Sequence, residues 1–458
     1  MNVSGRLAPI LVALIKINMN SKVKNGLFLL FIFLFVIITG LTWLSASGYK
    51  FNLSWPIKWN RVLEKTGMLN LSTLPKGAYI YLDDRPQKNT GFSILKKDLL
   101  TTPIKIRNLL PGDYLLRLEK TNYWPLEKKV RIESGQTTFL EDINLFINDL
   151  PFFITGGAPG ELIISPDNNY LYAQTSGMVI DLKNNQLLTA KLEENSSGVW
   201  LKDNNFFSEG KTIEVSKNNL LDLSKTIGSG ATNWRYGNTN NKLYFINQNE
   251  ISHLDSDYKT IKSVIKGEKY LDYEIRENNI FVITESNKIS LKNYSLSNLI
   301  LEGEIELPLM GKYELVLKNS KYIELFDREN KTLYLINPSN LQDIDLIKNI
   351  SDWTWIREDE MIYTNGWEIN TYNLVNSKSN LITRVGENIS RVLYHKKGNY
   401  FIFATQTNLN VGDFQDGSYQ SILNATEIGY PVLDEKNNLL YFYAKINDEL
   451  GIYKLILQ

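Results

Sequence analysis

The chain has 458 residues, with 50 basic and 50 acidic side chains and no cysteine. That length allows two or three domains, and the balanced charge argues against nucleic acid as a partner. The missing thiols exclude disulfides, thiolate metal sites and cysteine nucleophiles.

From Gly26 to Ala46 the chain carries no charge. As a helix these roughly 21 residues rise about 31 Å, against a hydrocarbon core of about 30 Å. Leu, Ile, Phe or Val fill about fourteen of the positions and together favour insertion by roughly 4 to 8 kcal/mol. We therefore read residues 25–46 as a single transmembrane helix. Arg6, Lys16, Lys22 and Lys24 precede it with no acidic residue among them, while only Lys50 and Lys58 follow closely. That asymmetry keeps the basic tail, residues 1–24, in the cytoplasm and the bulk of the chain outside. The alternative is a cleaved secretory signal with Ser45-Ala46-Ser47 as its small-residue site, although signal cores usually run only about 7 to 15 residues. Residues 47–66 read as a juxtamembrane linker. In it Tyr49, Trp55 and Trp59 either anchor at the headgroups with Lys50 and Lys58 or pack on the next domain.

Beyond Gly67 the pattern alternates with period two. Met68–Ser72, Tyr79–Leu82, Ile104–Ile106, Tyr114–Leu118, Lys129–Ile132 and Thr138–Leu140 are expected strands. Turn chemistry at Pro75-Lys76-Gly77, Asp83-Asp84, Pro111-Gly112-Asp113 and Ser134-Gly135 separates them, with Gly112 expected at positive φ. An antiparallel β-sandwich over residues 67–148 follows.

The run Leu71-Ser72-Thr73-Leu74-Pro75-Lys76-Gly77-Ala78-Tyr79-Ile80-Tyr81-Leu82-Asp83, followed by Thr102-Pro103, Asn108-Leu109-Leu110-Pro111-Gly112-Asp113-Tyr114 and Lys120-Thr121-Asn122-Tyr123, resembles a PEGA domain. Lys76 stands in place of the Glu that gives the family its name, and Asn122 stands where the pattern often has Gly. Asn tolerates the left-handed region better than most residues. The turn residues that carry the resemblance are Pro75, Gly77, Ala78, Pro111, Gly112 and Tyr114. It implies a small β-sandwich of bacterial and archaeal envelope proteins, and supplies no catalytic residue.

Residues 149–458 are repetitive. Similar units begin near Glu161, Gly198, Asn233, Asp272, Gly311, Asp352, Arg391 and Tyr430, about 38 residues apart, close to the period of propeller repeats. Each turns through a polar knot into an apolar strand, as at Ser165-Pro166-Asp167-Asn168-Asn169, Asn238-Thr239-Asn240-Asn241-Lys242, Arg276-Glu277-Asn278-Asn279 and Asp434-Glu435-Lys436-Asn437-Asn438. Three strands and a variable fourth make a propeller blade, which no single unit stabilises alone. Stacked sandwiches or a solenoid are the competing architectures. The unit from Ile163 to Tyr172 resembles the repeats of TolB- and WD40-type propellers. Seven or eight blades fit the spacing. The last unit stops after its third strand, so closure of the ring calls for a strand from Ile143–Phe146 or Phe152–Thr155. The fold class is thus mainly β: one helix, a PEGA-like sandwich and a propeller.

Motifs for chemistry are sparse. His253 and His395 stand alone, with no serine-hydrolase elbow, zinc motif or phosphate loop near them. No cofactor or metal is expected. Asp272, Glu274, Asp352 and Asp434 lie near inner-strand starts, where propeller glycosidases hold paired carboxylates; in turns such acids usually bond their own backbone. Asp167 and Asp434 are expected to cap turns rather than bind Ca²⁺. Trp200, Trp234, Trp353, Trp355 and Trp367 recur near unit boundaries and are candidates for a binding surface, or else padding between blades. The reading is a non-enzymatic envelope platform for a protein or glycan partner; the competing reading is a hydrolase or lyase acting on polysaccharide or peptidoglycan.

Overall fold

The computed structural model describes residues 21–52, 62–88, 99–228, 230–237, 241–255 and 258–458. The first element is the helix Ser21–Ala46, apolar and exposed along its length, in which Lys22–Ala46 is long and apolar enough to cross a membrane. The segment read as a linker is partly structured, because Tyr49–Phe51 pairs antiparallel with Leu63–Lys65. Trp55 and Trp59 lie outside the described residues.

The chain then divides into two compact units. In the first, Gly67–Leu74 pairs with Ile104–Leu109 on one side and Thr137–Asn144 on the other. A second sheet orders Arg85–Pro86, Tyr79–Leu82, Gly112–Glu119 and Leu126–Ile132. Alternation buries one face of each sheet, placing Leu69, Leu71, Ile80, Leu116, Leu118, Val130 and Ile132 in the core. The six strands read from the sequence are all present, but the sandwich is not wholly antiparallel. Thr137–Asn144 runs parallel to Gly67–Leu74, since the chain re-enters the first sheet from the second in the direction of its first strand. Gly112 sits at φ +158°, next to extended backbone, with open space where a Cβ would project. Its φ is positive as expected, and Gly77 at φ +91° and Gly135 at φ +70° lie further inside the region that favours glycine.

Among the described residues the second unit holds eight four-stranded sheets. Blades 1 to 7 open with the inner strands Leu162–Ile164, Val199–Trp200, Ala231–Gly237, Lys269–Arg276, Tyr313–Val316, Asp352–Arg357 and Arg391–His395. Blade 8 consists of Glu427–Asp434, Leu439–Ile446 and Glu449–Ile456, completed at its outer edge by Phe152–Gly156. Its inner strand meets that of blade 1, so the ring is closed by a strand from the beginning of the unit. Each pair of neighbouring blades shares an apolar cluster. Leu162, Leu171 and Ile180 of blade 1 pack on Tyr441, Tyr443 and Ile452 of blade 8, and Phe281, Ile283 and Leu291 of blade 4 pack on Tyr313, Leu315 and Leu325 of blade 5. The loop Thr121–Leu126 belongs with this unit: Trp124 donates its backbone N–H to the Phe146 carbonyl and packs on the cluster of blades 7 and 8.

The polar knots at Asp167 and Asp434 are Asx-type turns whose side chains replace missing backbone partners; Asn238–Asn240 lie outside the described residues. Asp167 accepts the Asn169 N–H and side-chain amide, and Asp434 does the same for Asn437. Asn168, Asn241, Glu277 and Asn438 supply the left-handed residue. Neighbouring turns are stitched together. The Asn204 amide reaches Asp167 of blade 1, the Asn168 amide reaches Asp434 of blade 8, and His395 Nε2 pairs with the Asn438 amide oxygen at 2.8 Å.

Candidate functional site

From blade 3 to blade 7, charged side chains join the amides in stitching neighbouring blades. Arg235 of blade 3 donates to both oxygens of Asp272 of blade 4 at 2.9 Å and to the Leu315 carbonyl of blade 5 at 2.7 Å. Asp272 also accepts the Leu315 N–H at 2.7 Å. Two blades on, Asp352 repeats the device by accepting the Val392 N–H at 2.8 Å. Both aspartates stand at unit starts, where a carboxylate can reach the next inner strand.

Beneath this network lie two glutamates with no exposed surface, Glu274 and Glu324. Glu324 accepts the indole N–H of Trp353 at 2.7 Å, that of Trp355 at 2.9 Å and the Lys318 N–H at 2.7 Å, joining blade 5 to blade 6. Glu274 accepts from Arg276 through one oxygen, and its other oxygen, Oε2, has no hydrogen-bond partner among the described residues. Burial pushes its carboxyl up to about 7, against the pull of Arg276 and Arg235 and with help from Glu324. Arg276 reaches across to blade 5, donating to the carbonyls of Ser320 at 2.9 Å, Asn319 at 3.1 Å and Tyr322 at 2.5 Å. Lys318 donates to the Trp353 carbonyl at 2.7 Å and lies over that indole at 4.2 Å. Burial lowers its pKa, opposed by Asp352.

Of these groups, Arg235, Glu274, Arg276 and Lys318 line a cleft of about 1000 Å³ between blades 4 and 5. It lies on the face made by the turns between first and second strands and between third and fourth strands. Glu274, Arg276, Glu277 and Asn279 form one wall, with Glu302 and Glu304 toward the outer edge; Leu317–Ser320 and Pro338–Gln342 form the other. The volume is at the upper end for small-ligand pockets.

The structure does not bring the five tryptophans together. Trp200 is buried between blades 1 and 2 with its N–H on the Ile163 carbonyl at 3.0 Å, and Trp234 packs between Phe207 and Phe245. Trp353 and Trp355 are tied to Glu324, and Trp367 alone is largely exposed, at 54%. Four of them fill space between blades, where a large ring contributes most. Of the singled-out carboxylates, Asp272 and Asp352 hold neighbouring strands and Asp434 caps its turn; Glu274 alone keeps a free oxygen. In the sandwich, Pro75, Gly77 and Ala78 form a turn held by Thr102, which accepts the Gly77 N–H through its carbonyl and the Ala78 N–H through its hydroxyl. Tyr114 closes the Pro111-Gly112 turn onto the Leu110 carbonyl at 2.8 Å. Arg235, Arg276, Lys318 and Glu324 were missed by sequence reasoning. The available signal was a charge inside an apolar run, such as Ile323-Glu324-Leu325-Phe326.

The architecture is a helix followed by a small sandwich and a closed propeller. Residues 66–143 match the PEGA domain, so the chain contains one. No curated protein sequence matches the chain. Among solved structures, the Dos1 propeller is similar at 13% identity and TM-score 0.49, over 67% of this chain and 94% of that one. The C-terminal WD40 domain of Sif2 is similar at 12% identity and TM-score 0.48, over 68% of this chain and 98% of that one. The Neurospora crassa Pan2 WD40 domain is similar at 11% identity and TM-score 0.40, over 65% of this chain and 89% of that one.

Proposed function

We propose that this protein is a membrane-anchored, extracytoplasmic platform that holds a partner protein of the cell envelope in the cleft between blades 4 and 5. The observation that carries the reading is how the cleft spends its charges. Its cations Arg235, Arg276 and Lys318 hold neighbouring blades in place, leaving a stiff, polar, open groove. Hydrolysis of a glycan would need a second carboxylate paired with Glu274; Asp272 is bound by Arg235, so that role would fall to Glu277 or Glu302 on the rim of the cleft. The exposed apolar helix and the PEGA domain support the membrane location.

A photo-crosslinking residue placed at Asn340 in the cleft of the full-length protein in its membrane should capture a discrete partner. The same residue at Asp448 on blade 8 should not. Capture at neither site, or equally at both, overturns the reading. So does turnover of glycans or peptides by the purified chain that disappears in Glu274→Gln.

A further inference from the structure

The cations and the carboxylates of the cleft are used differently. Arg235, Arg276 and Lys318 are each held by carboxylates or carbonyls of the protein itself. The acids keep spare acceptors. Glu302 receives the amides of Asn279 and Asn293 through Oε2 only, and Oε1 has no partner among the described residues. Glu277, exposed at the left-handed position of its turn, has no ion pair or side-chain hydrogen bond among the described residues. Below them Glu274 is fully buried, lines the same cleft and leaves Oε2 unpartnered. The blade 4 wall thus carries more carboxylate acceptors than the protein supplies donors for, with those of Glu277 and Glu302 open to a ligand. On the opposite wall Leu317 is 55% exposed and offers an apolar surface of the kind a methylene stem covers.

We propose that the cleft receives a basic segment of the partner protein, with a lysine or arginine stem laid along Leu317 and its charged head between Glu277 and Glu302. The inference rests on the platform reading above and adds the chemistry of the partner. A polypeptide is favoured over a free amine because the groove spans two blades and presents the side chains of Asn340 and Gln342 on the wall opposite the acids, a lining suited to a main chain.

The test uses the full-length protein in detergent micelles and fluorescence anisotropy with short Gly-Ser peptides carrying lysines, glutamates or neither. Only the lysine peptide should bind. Combined Glu277→Gln and Glu302→Gln should weaken it about tenfold, the scale of two exposed ion pairs, with the melting temperature unchanged because both sites are on the rim. Glu449→Gln on blade 8 should leave binding as it was. Absence of lysine-peptide binding, or equal loss in Glu449→Gln, overturns the inference. If the Asn340 crosslink still captures a partner while the lysine peptide fails, this inference alone falls; if both fail, the platform reading falls with it.

Discussion

Glu274 is the residue on which stability and pH meet. In an unfolded chain its carboxyl titrates near 4.5, and in the folded protein burial raises it to about 7. Between those values the folded state binds more protons than the unfolded one, so the contribution of this group is full below 4.5 and is lost as pH rises through about 7. A displacement of that size corresponds to about 3 kcal/mol. Relative to Glu274→Gln, the parent should therefore be favoured at pH 5 and lose that advantage by pH 8. Melting curves of the pair at both values check it, and a gap independent of pH would mean that the carboxyl titrates normally. The sequence placed Glu274 near the start of an inner strand but could not show its partners. Whether Glu274 binds a neighbour or a ligand depends on Arg276 and on blade 5 carbonyls more than forty residues away, from Asn319 to Tyr322. Local pattern carries no trace of such a contact. The same limit applies to the tryptophans, whose spacing marks blade boundaries without saying which side of the boundary each indole fills.

At the scale of elements, blade boundaries were legible because the blades repeat one local instruction: an apolar strand, a polar turn and a second apolar strand. The expected starts at Asp272, Asp352 and Arg391 fall on or inside the inner strands Lys269–Arg276, Asp352–Arg357 and Arg391–His395. The parallel partner of Gly67–Leu74 was not legible, since strand direction in a sandwich is set by connections between sheets rather than by alternation along a strand. Closure of the ring could be read from an arithmetical shortfall, three strands in the last unit where four are needed. The structure fills it with Phe152–Gly156, in which Phe153 sits against Tyr453 with ring centroids 5.3 Å apart. Replacing Phe152–Gly156 by a flexible Gly-Ser segment should expose Glu449–Ile456 as an unpaired edge. Size-exclusion chromatography should then show self-association, with a melting temperature several degrees lower. A monomer as stable as the parent would show that blade 8 needs no fourth strand.

For the whole molecule, the physical question is where the two folded units stand relative to the membrane, and composition supplies an unusually clean probe. The chain has no cysteine, so a single introduced thiol reports its own location without background. Asp448 lies in the turn between two strands of blade 8, with its side chain 98% exposed, and a thiol there would be open to reagent. Ser4 lies in the basic tail that precedes the helix. If the tail is retained inside by its positive charge and the helix is an uncleaved anchor, a membrane-impermeant maleimide should label Asp448→Cys on intact cells. It should label Ser4→Cys only after the membrane is opened, and the purified Ser4→Cys chain should keep its full mass. Labelling of Ser4→Cys on intact cells would reverse the orientation. Loss of the tail from the mature chain would make residues 25–46 a signal sequence and release both units from the membrane.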